Sequence, residues 1–304
     1  MFMKIALLAY GECQALFLRG TKEKLISQGY EATLFYESNF QGIQDEERLK
    51  WVSEFDLSPL HLFDRLVVFN GYAKESSLQT SILKGVFGDR MLFCERGWLP
   101  QKGMIYFDRS GLGGRSSLAK RDLSEVIPGV YYGKTVTPFC HEYKHKNFIL
   151  IPQQLENDTS ILLDSKYVKH FDSLVRFVST TFPNDLIITR PHPLQRSVEI
   201  ISNNNVITEF ETPTYELAAS AKAIIGVNST VMIESLYHAK PMVFFGDGVL
   251  DGSDIYSKYK IGDDLKKLID YKPNKEKIKR CLSNLRAIQT RIDDPNIYPI
   301  IQDL

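Results

Sequence analysis

The stretch "AIIGVNSTVMIESLYHAKPMVFFG" (residues 223–246) contains the pattern that decides the fold. An apolar run of strand length is followed by an Asn-Ser-Thr turn, an amphipathic helical segment and a second apolar run that ends in Gly246. Two short apolar strands joined by a helix form a parallel βαβ unit, whose crossover is right-handed. We therefore predict an α/β chain with a doubly wound, mostly parallel sheet.

The same alternation of strand and helix patterns continues in both directions. Strand patterns precede the opening stretch at "KIALLAYG", "YEATLFYES", "RLVVFNG", "RMLFCERGW", "NFILIPQQ", "DLIITRPHP" and "NNVITEF". Between Leu99 and Lys146 the pattern fails and a long Gly- and Ser-rich loop is expected, ending in the polar run "HEYKHKN". We predict two Rossmann-like domains that face a cleft, over residues 1–145 and 146–304.

Composition excludes several classes of protein. The chain has 304 residues, 43% of them hydrophobic, and 37 basic side chains balance 37 acidic ones. The net charge predicts no general attraction to nucleic acid. No apolar run approaches the roughly 20 residues that cross a bilayer, and no signal-peptide pattern is seen, so a cytoplasmic protein is expected. Cysteines and histidines are scattered, and no metal site is predicted.

The turn of the opening stretch has the residues of a phosphate-binding helix start. Asn228, Ser229 and Thr230 place hydroxyl groups and free backbone N–H groups at the positive end of a helix dipole. The structural alternative is an ordinary N-cap. Glu234, one helical turn later, is expected to meet a ribose hydroxyl or to face solvent.

A histidine between two prolines ends the stretch "LIITRPHPLQ" (residues 186–195). The prolines fix the backbone on both sides of His192 and favour an extended conformation. On the same edge of the sheet as the Ser-Thr turn, the imidazole would donate to the same phosphate. Arg190 is expected either to add positive charge there or to pair with an acid.

Two acidic stretches are candidates for chemistry. Glu95 follows a strand in "FCERGWLP" and is expected to act as a general acid/base, or else to pair with Arg96 in an exposed loop. Asp158, with Glu156 close by in "IPQQLENDTSIL", follows the first strand of the second domain; the alternative is a helix cap. Two acids, one from each domain, suit a double displacement at a sugar carbon. Asp108 either begins an Asx turn or belongs to the site.

These motifs, taken in order, resemble the bacterial capsule polysaccharide synthesis family that includes the retaining β-Kdo transferases. The resemblance rests on "CERGWLP", "FDRSGLGG", "IPQQLENDTSIL", "RPHP" and the opening stretch. It implies a GT-B type α/β fold, a CMP-linked donor sugar and chemistry that needs no metal or other cofactor. The trio of acid-x-Gly, His-Pro and Ser-Thr is also similar to that of bacterial CMP-sialic acid transferases.

The resemblance also implies roles for single residues. Asp158 would be the nucleophile, with Glu156 as the other candidate, and Glu95 the general acid/base. His192 and the turn at Ser229 and Thr230 would hold the CMP phosphate. Gln154 would help to orient the donor. The cation for the sugar carboxylate is left open among four basic residues, namely Arg109, Arg115, Arg190 and Lys240.

The resulting expectation is a transferase that moves Kdo from CMP-β-Kdo to a glycan or lipid-linked glycan in capsule, O-antigen or lipopolysaccharide synthesis. A CMP-sialic acid or CDP-glycerol dependent transferase is the enzymatic alternative. A sugar-nucleotide or glycan-binding export protein without catalysis is the alternative of another class. Peripheral association with a membrane polysaccharide assembly complex is left open.

Overall fold

A computed structural model describes residues 3–9, 12–36, 58–70, 77–132, 141–195 and 204–294. The chain divides into two compact units, one formed by Met1–Leu112 with Arg286–Leu304 and the other by Gly113–Leu285. Each unit contains one six-stranded sheet. The predicted α/β class with two Rossmann-like units is confirmed.

The first unit follows the predicted order of strands and helices. Its elements are β1 (Lys4–Ala9), α1 (Glu12–Ser27), β2 (Glu31–Tyr36), β3 (Arg65–Phe69), α2 (Ser77–Phe87), β4 (Met91–Arg96) and β5 (Met104–Asp108). Strands β1 to β4 are parallel in the order β2-β1-β3-β4, and their buried aliphatic side chains pack against α1. Strand order reverses between the neighbours β1 and β3, which makes this sheet doubly wound.

Strand β5 corrects the prediction of an irregular loop after Leu99. It pairs antiparallel with β4, so that Glu95 lies opposite Tyr106 within the sheet rather than in a loop after it. The Tyr106 ring stacks on Trp98 with 4.0 Å between ring centroids, and both rings are buried. Strand β5 has only five residues, and an apolar pattern of this length does not distinguish a strand from the irregular sequence on either side.

The second unit has an entirely parallel sheet in the order β11-β10-β9-β6-β7-β8. Its strands are short and mostly buried on both faces, as parallel strands covered by helices are. The elements are β6 (Ile149–Pro152), α3 (Thr159–Asp164), α4 (Phe171–Thr181), β7 (Ile187–Arg190), β8 (Val206–Thr208), α5 (Thr214–Ser220), β9 (Ala223–Gly226), α6 (Thr230–Ser235), β10 (Met242–Phe244), β11 (Ser257–Lys258), α7 (Leu265–Ile269) and α8 (Lys275–Ile288).

The division into units differs from the predicted boundary after residue 145. After α8 the chain returns to the first sheet, where β12 (Thr290–Arg291) pairs antiparallel with β5. Residues that follow Leu112 pack on the second unit, because Leu123 N–H donates to Ser253 Oγ at 2.9 Å and Leu123 O accepts from Asn284 Nδ2 at 2.8 Å. Sequence periodicity carries no signal for either of these long-range contacts.

The Gly113-Gly114 pair allows this segment to approach Asp164 and Asp247 closely. A Cβ atom on Gly114 would lie 2.3 Å from Asp247 Cβ, and one on Gly113 would lie 2.5 Å from an Asp164 carboxylate oxygen. Gly113 also has a φ of 57°, in the left-handed region. The glycines are therefore required by space and by backbone conformation.

We predict that Gly114→Ala lowers the free energy of unfolding by about 1–3 kcal/mol, because Asp247 and its backbone have to shift. Urea unfolding followed by circular dichroism would measure the change. Gly248→Ala is the matched control, since its Cβ would meet only atoms at 3.8 Å or more. Equal stability of the two variants would show that the segment does not need this close approach.

Candidate functional site

The predicted site residues of the second unit gather at the carboxyl ends of β6, β7 and β9. Strand order reverses between the neighbours β6 and β9, because β7 and β8 continue on one side and β10 and β11 on the other. Doubly wound sheets bind nucleotides and other ligands beside such a switch point. Pro152 is in register with Arg190, so Gln154 and His192 each lie two residues beyond a strand end on the same edge.

Gln154 and Asn228 bridge the switch point through paired amide groups. Gln154 Nε2 donates to Asn228 Oδ1 at 3.1 Å, and Asn228 N–H donates to Gln154 Oε1 at 3.3 Å. The Asn228 amide in turn donates from Nδ2 to Asp247 O at 2.9 Å. Gln154 is 7% exposed, so these bonds satisfy polar groups that water does not reach.

The turn after Asn228 forms a capped helix start. Ser229 is the N-cap of α6, and its Oγ accepts from Val231 N–H at 3.3 Å. Thr230 is the first helical residue and is half-buried. The structural alternative of an N-cap is thus realised for Ser229, and a phosphate-binding role for this turn stays a prediction.

His192 is half-buried beside Asp158. Its Nδ1 accepts from Leu194 N–H at 3.2 Å, which leaves the proton of the neutral ring on Nε2. Burial lowers the pKa of His192 below the ordinary 6.5, while the charge of Asp158 opposes that shift. The imidazole is therefore neutral at pH 7, with Nε2–H as a hydrogen-bond donor.

The two acids of the "QLENDTS" motif have different surroundings. Asp158 is the exposed N-cap of α3, and its Oδ1 accepts from Ser160 N–H at 3.0 Å and Ser160 Oγ at 3.1 Å. Glu156 uses both carboxylate oxygens to fix the start of α4, accepting from Phe171 N–H at 2.8 Å and lying 2.9 Å from His170 Nδ1. The geometry favours Asp158 over Glu156 as an acid available to a ligand.

Glu234 in α6 is half-buried, and burial raises the pKa of its carboxyl. Among the described residues the Glu234 carboxylate has no hydrogen-bond partner, whereas the carboxylates of Asp164 and Asp247 in the same unit are both paired. A ribose hydroxyl would supply such a partner. That contact stays a prediction.

Of the four proposed cations for a sugar carboxylate, three have backbone or acidic partners. Arg190 Nε donates to Thr212 O at 2.9 Å, Arg115 Nε pairs with Asp164 at 3.0 Å, and Arg109 Nη1 donates to Asp89 O at 2.7 Å. Lys240 precedes the amino end of β10 and therefore lies at the opposite edge of the sheet from the switch point. These placements follow from tertiary contacts that the sequence does not reveal.

A cluster of charged side chains that the sequence analysis missed supports the switch point. Lys258 Nζ binds Asp247 and also Asp251, the latter at 2.5 Å. Burial raises the pKa of the Asp247 carboxyl, but the hydrogen bond and charge of Lys258 outweigh this effect and lower it. Lys166 adds an ion pair to Asp247 at 3.5 Å. No motif surrounds these residues, so only their meeting in space identifies them.

Glu95 and Asp108 belong to the first unit. Glu95 Oε1 accepts from the backbone N–H of Arg96 at 2.8 Å, while the Arg96 guanidinium lies over the Phe17 ring. Asp108 Oδ1 accepts from Ser110 N–H at 2.6 Å and Gly111 N–H at 3.2 Å, which is the predicted Asx turn. A catalytic role for Glu95 stays a prediction.

Within the described ranges, no group of three or more His, Cys, Asp and Glu side chains is arranged to hold a metal ion. In the same part of the chain, no helix combines the length and the apolar character needed to cross a membrane.

This chain is similar in sequence and in fold to several known proteins. Residues 136–285 match the family model described as capsule polysaccharide biosynthesis protein. Protein FixF of Sinorhizobium fredii (strain NBRC 101917 / NGR234) is 26% identical over 219 residues, which cover 67% of this chain and 52% of FixF. The chain thus spans about half the length of this curated relative.

Two solved structures have a similar fold. The KpsC β-Kdo 2,7 transferase from Thermosulfurimonas dismutans matches with a TM-score of 0.59 and 15% identity, over 92% of this chain and 89% of that one. The β-Kdo 2,4 transferase of the same KpsC matches with a TM-score of 0.56 and 12% identity, over 93% and 90%. The predicted GT-B type α/β fold is confirmed by these likenesses.

The proximity of His192 and Asp158 generates a test by titration. We predict a His192 pKa below 6.5 in the folded protein, and a still lower one in Asp158→Asn, because the nearby negative charge is removed. Because the folded protein favours the neutral His192 ring, protonation of this ring opposes folding. The protein therefore loses stability as the pH falls through the His192 pKa. The pH dependence of the histidine ring signals in NMR would measure both values. Glu276→Gln on α8 is the control, and an unshifted titration in Asp158→Asn would contradict the proposed proximity.

Proposed function

We propose that this chain, whose residues 136–285 match the family model for capsule polysaccharide biosynthesis proteins, is a glycosyltransferase that acts in bacterial surface polysaccharide synthesis. The observation that carries the proposal is the gathering of Gln154, His192 and Asn228 at the switch point of the second sheet. A sugar nucleotide bound there would have its phosphate near a neutral imidazole donor and a helix start.

The proposed donor is CMP-β-Kdo. Support comes from the motif resemblance and from the similar folds of two proteins described as β-Kdo transferases. Nε2–H of His192, the hydroxyl of Thr230 and backbone N–H groups of α6 would donate to the phosphate as CMP leaves. Glu234 would accept from a ribose hydroxyl. Gln154 would orient the donor, and Arg190 would add positive charge.

Asp158 is the proposed nucleophile of a double displacement. Its carboxylate attacks the anomeric carbon while the bond to CMP breaks and CMP takes the bonding electrons. In its bonds to described residues the Asp158 carboxylate uses only Oδ1, which makes Oδ2 the proposed attacking oxygen. Glu95, whose role rests on the resemblance, accepts the proton of the acceptor hydroxyl. That oxygen then attacks the same carbon and expels Asp158, which retains the configuration.

The acceptor is proposed to be a glycan or a lipid-linked glycan, and the protein is proposed to work in the cytoplasm or at the inner face of the membrane. The reaction is proposed to need no metal, since a CMP leaving group is a phosphate monoester that hydrogen-bond donors can stabilise. A transferase for CMP-sialic acid or CDP-glycerol would use the same cytidylyl contacts, so donor identity decides between these enzymes.

Donor binding provides the first test. Calorimetric titration with CMP, CMP-Kdo, CMP-sialic acid, CDP-glycerol and a UDP-sugar should show the tightest binding for CMP-Kdo, unchanged by EDTA. His192→Ala should weaken CMP binding about tenfold, because one hydrogen bond to a charged phosphate is lost. Equal affinity of wild type and His192→Ala would remove His192 from the phosphate site. Preference for a UDP-sugar would contradict a cytidylyl donor.

Turnover of Asp158→Ala provides the second test. The variant should lose at least about a thousandfold in transfer rate while it keeps its affinity for CMP, because only bond formation needs the nucleophile. Asp264→Ala is a matched control, since Asp264 caps α7 with the same geometry, accepting from Lys266 N–H at 3.0 Å. Full turnover in Asp158→Ala would refute the mechanism. Binding of a donor without any transfer by the wild type would instead indicate a non-catalytic binding protein.

A further inference from the structure

The polar run "HEYKHKN" (residues 141–147) contributes one buried side chain to the second unit. Tyr143 is 7% exposed, and the edge of its ring meets the rings of His145 and the fully buried Phe148. Its hydroxyl donates to Glu209 Oε2 at 2.7 Å. A tyrosine that packs on an apolar side chain and is bonded at its hydroxyl is held at both ends. Tyr143 therefore fixes one oxygen of a carboxylate that is distant in sequence.

The Glu209 carboxylate organises residues 209–212, the turn that follows β8, which we call the Glu209 turn. Its other oxygen, Oε1, accepts from Glu211 N–H at 3.0 Å and from Thr212 N–H at 3.2 Å. Burial raises the pKa of the Glu209 carboxyl, but the three hydrogen bonds and the charge of Lys144 outweigh burial and lower it to about 2. The carboxylate is therefore ionised at pH 7, and charge-assisted bonds hold the turn together.

The Glu209 turn also carries the carbonyl group that holds Arg190. Thr212 O accepts from Arg190 Nε at 2.9 Å. At the start of the turn, Glu209 N–H donates to Thr189 O at 2.9 Å, in the strand that ends in Arg190. A continuous set of hydrogen bonds thus connects Tyr143 to Arg190 through this turn.

Arg190 is a half-buried cation, and no acidic side chain of the described residues pairs with it. Within the described ranges its bonds go to two carbonyl oxygens, that of Thr212 and that of Pro191, which accepts from Nη1 at 3.3 Å. Carbonyl groups orient a guanidinium but leave its charge without a counter-charge. Arg190 ends β7 at the edge of the sheet that carries the switch point, two residues before His192. An anionic ligand at that edge would supply the missing counter-charge.

We propose that Tyr143 and Glu209 are positioning residues that hold Arg190 as the receptor for an anionic group of the ligand bound at the switch point. A phosphate or carboxylate oxygen would accept from Nη2, which makes no bond to a described residue. A guanidinium already held at Nε loses less conformational freedom when it binds such a group. The identity of the ligand rests on the proposed function, whereas the placement of Arg190 is a property of the protein without ligand.

NMR of the full chain measures the placement of Arg190 without ligand. The Arg190 Nε–H signal, identified by its loss in Arg190→Lys, should shift and exchange faster with water in Glu209→Ala, because the Glu209 turn loses its central acceptor. Tyr143→Phe should cause a smaller shift. Glu209→Gln should restore the wild-type signal, since its side-chain oxygen can still accept from both backbone N–H groups.

Calorimetric titration with CMP and CMP-Kdo measures the consequence for binding. Arg190→Ala should weaken binding at least about tenfold, because a charge-assisted hydrogen bond is lost. Glu209→Ala should weaken it about threefold, and the double variant should bind no more weakly than Arg190→Ala, because both changes act on the same contact. Equal losses for CMP and CMP-Kdo would identify the phosphate as the anion. A loss confined to CMP-Kdo would identify the sugar carboxylate.

Matched controls in the same unit separate positioning from a general loss of stability. Tyr132→Phe removes another hydroxyl that holds a distant side chain, donating to Asn284 Oδ1 at 2.5 Å. Asp122→Ala removes another turn carboxylate, which accepts from Ser124 N–H at 2.8 Å. Both variants should keep the wild-type Arg190 signal and CMP affinity. Circular dichroism checks that every variant is folded.

Three results would overturn the inference. One is an Arg190 signal that stays unchanged in Glu209→Ala, even where CMP binds. Another is a double variant whose loss is the product of the two single losses, because Glu209 would then act independently of Arg190. The third is an equal loss of affinity for cytidine, which carries no anionic group. Absence of CMP binding by the wild type would instead refute the proposed donor, while the signal in Glu209→Ala still decides whether the Glu209 turn positions Arg190.

Discussion

The hydrogen-bonded pair of Gln154 and Asn228 is the constraint on which the candidate site depends. Their side chains join the segments that follow two parallel strands, at the place where strand order reverses. Because Gln154 is buried, each unmade bond would leave a desolvated amide group, at a cost of about 1–3 kcal/mol. The bridge therefore fixes the loops that carry Asp158 and Ser229 relative to each other.

Support for this bridge comes from residues distant in sequence. Asn228 is held by the carbonyl of Asp247, whose carboxylate is bound by Lys258. Asp247 N–H donates to Asp164 O at 2.7 Å, and the buried Asp164 carboxylate is bound by Arg115. Removal of one member of such a buried charge pair costs more than a surface ion pair contributes. These charged side chains of the second unit therefore hold Asp247, and the Asp247 carbonyl in turn positions the side-chain amide of Asn228.

Several residues of the candidate site were predictable because each belongs to a local pattern. A polar turn after an apolar strand predicts the positions of Asn228 and Ser229, and the prolines around His192 predict its extended backbone. The competition between helix cap and ligand contact was also predictable. The structure shows that Ser229 and Asp158 both cap helices, and that Glu156 is occupied by the start of α4.

The remaining features could not be predicted, because they depend on pairs of residues that approach only after folding. Strand β5 is stabilised by pairing with β4, the segment after Leu112 by contacts to Ser253 and Asn284, and the charge cluster by the meeting of Lys258 with Asp247. The edge of the sheet on which Lys240 lies could not be predicted for the same reason, because it depends on strand direction.

By itself the sequence determined the α/β class, the order of most strands and helices and the polar residues at the strand ends, because hydrophobic periodicity and turn chemistry are local. Only the tertiary structure decided which of these polar groups meet and which acids are already occupied. These properties arise from contacts between residues far apart in the chain, and a one-dimensional pattern does not record such contacts.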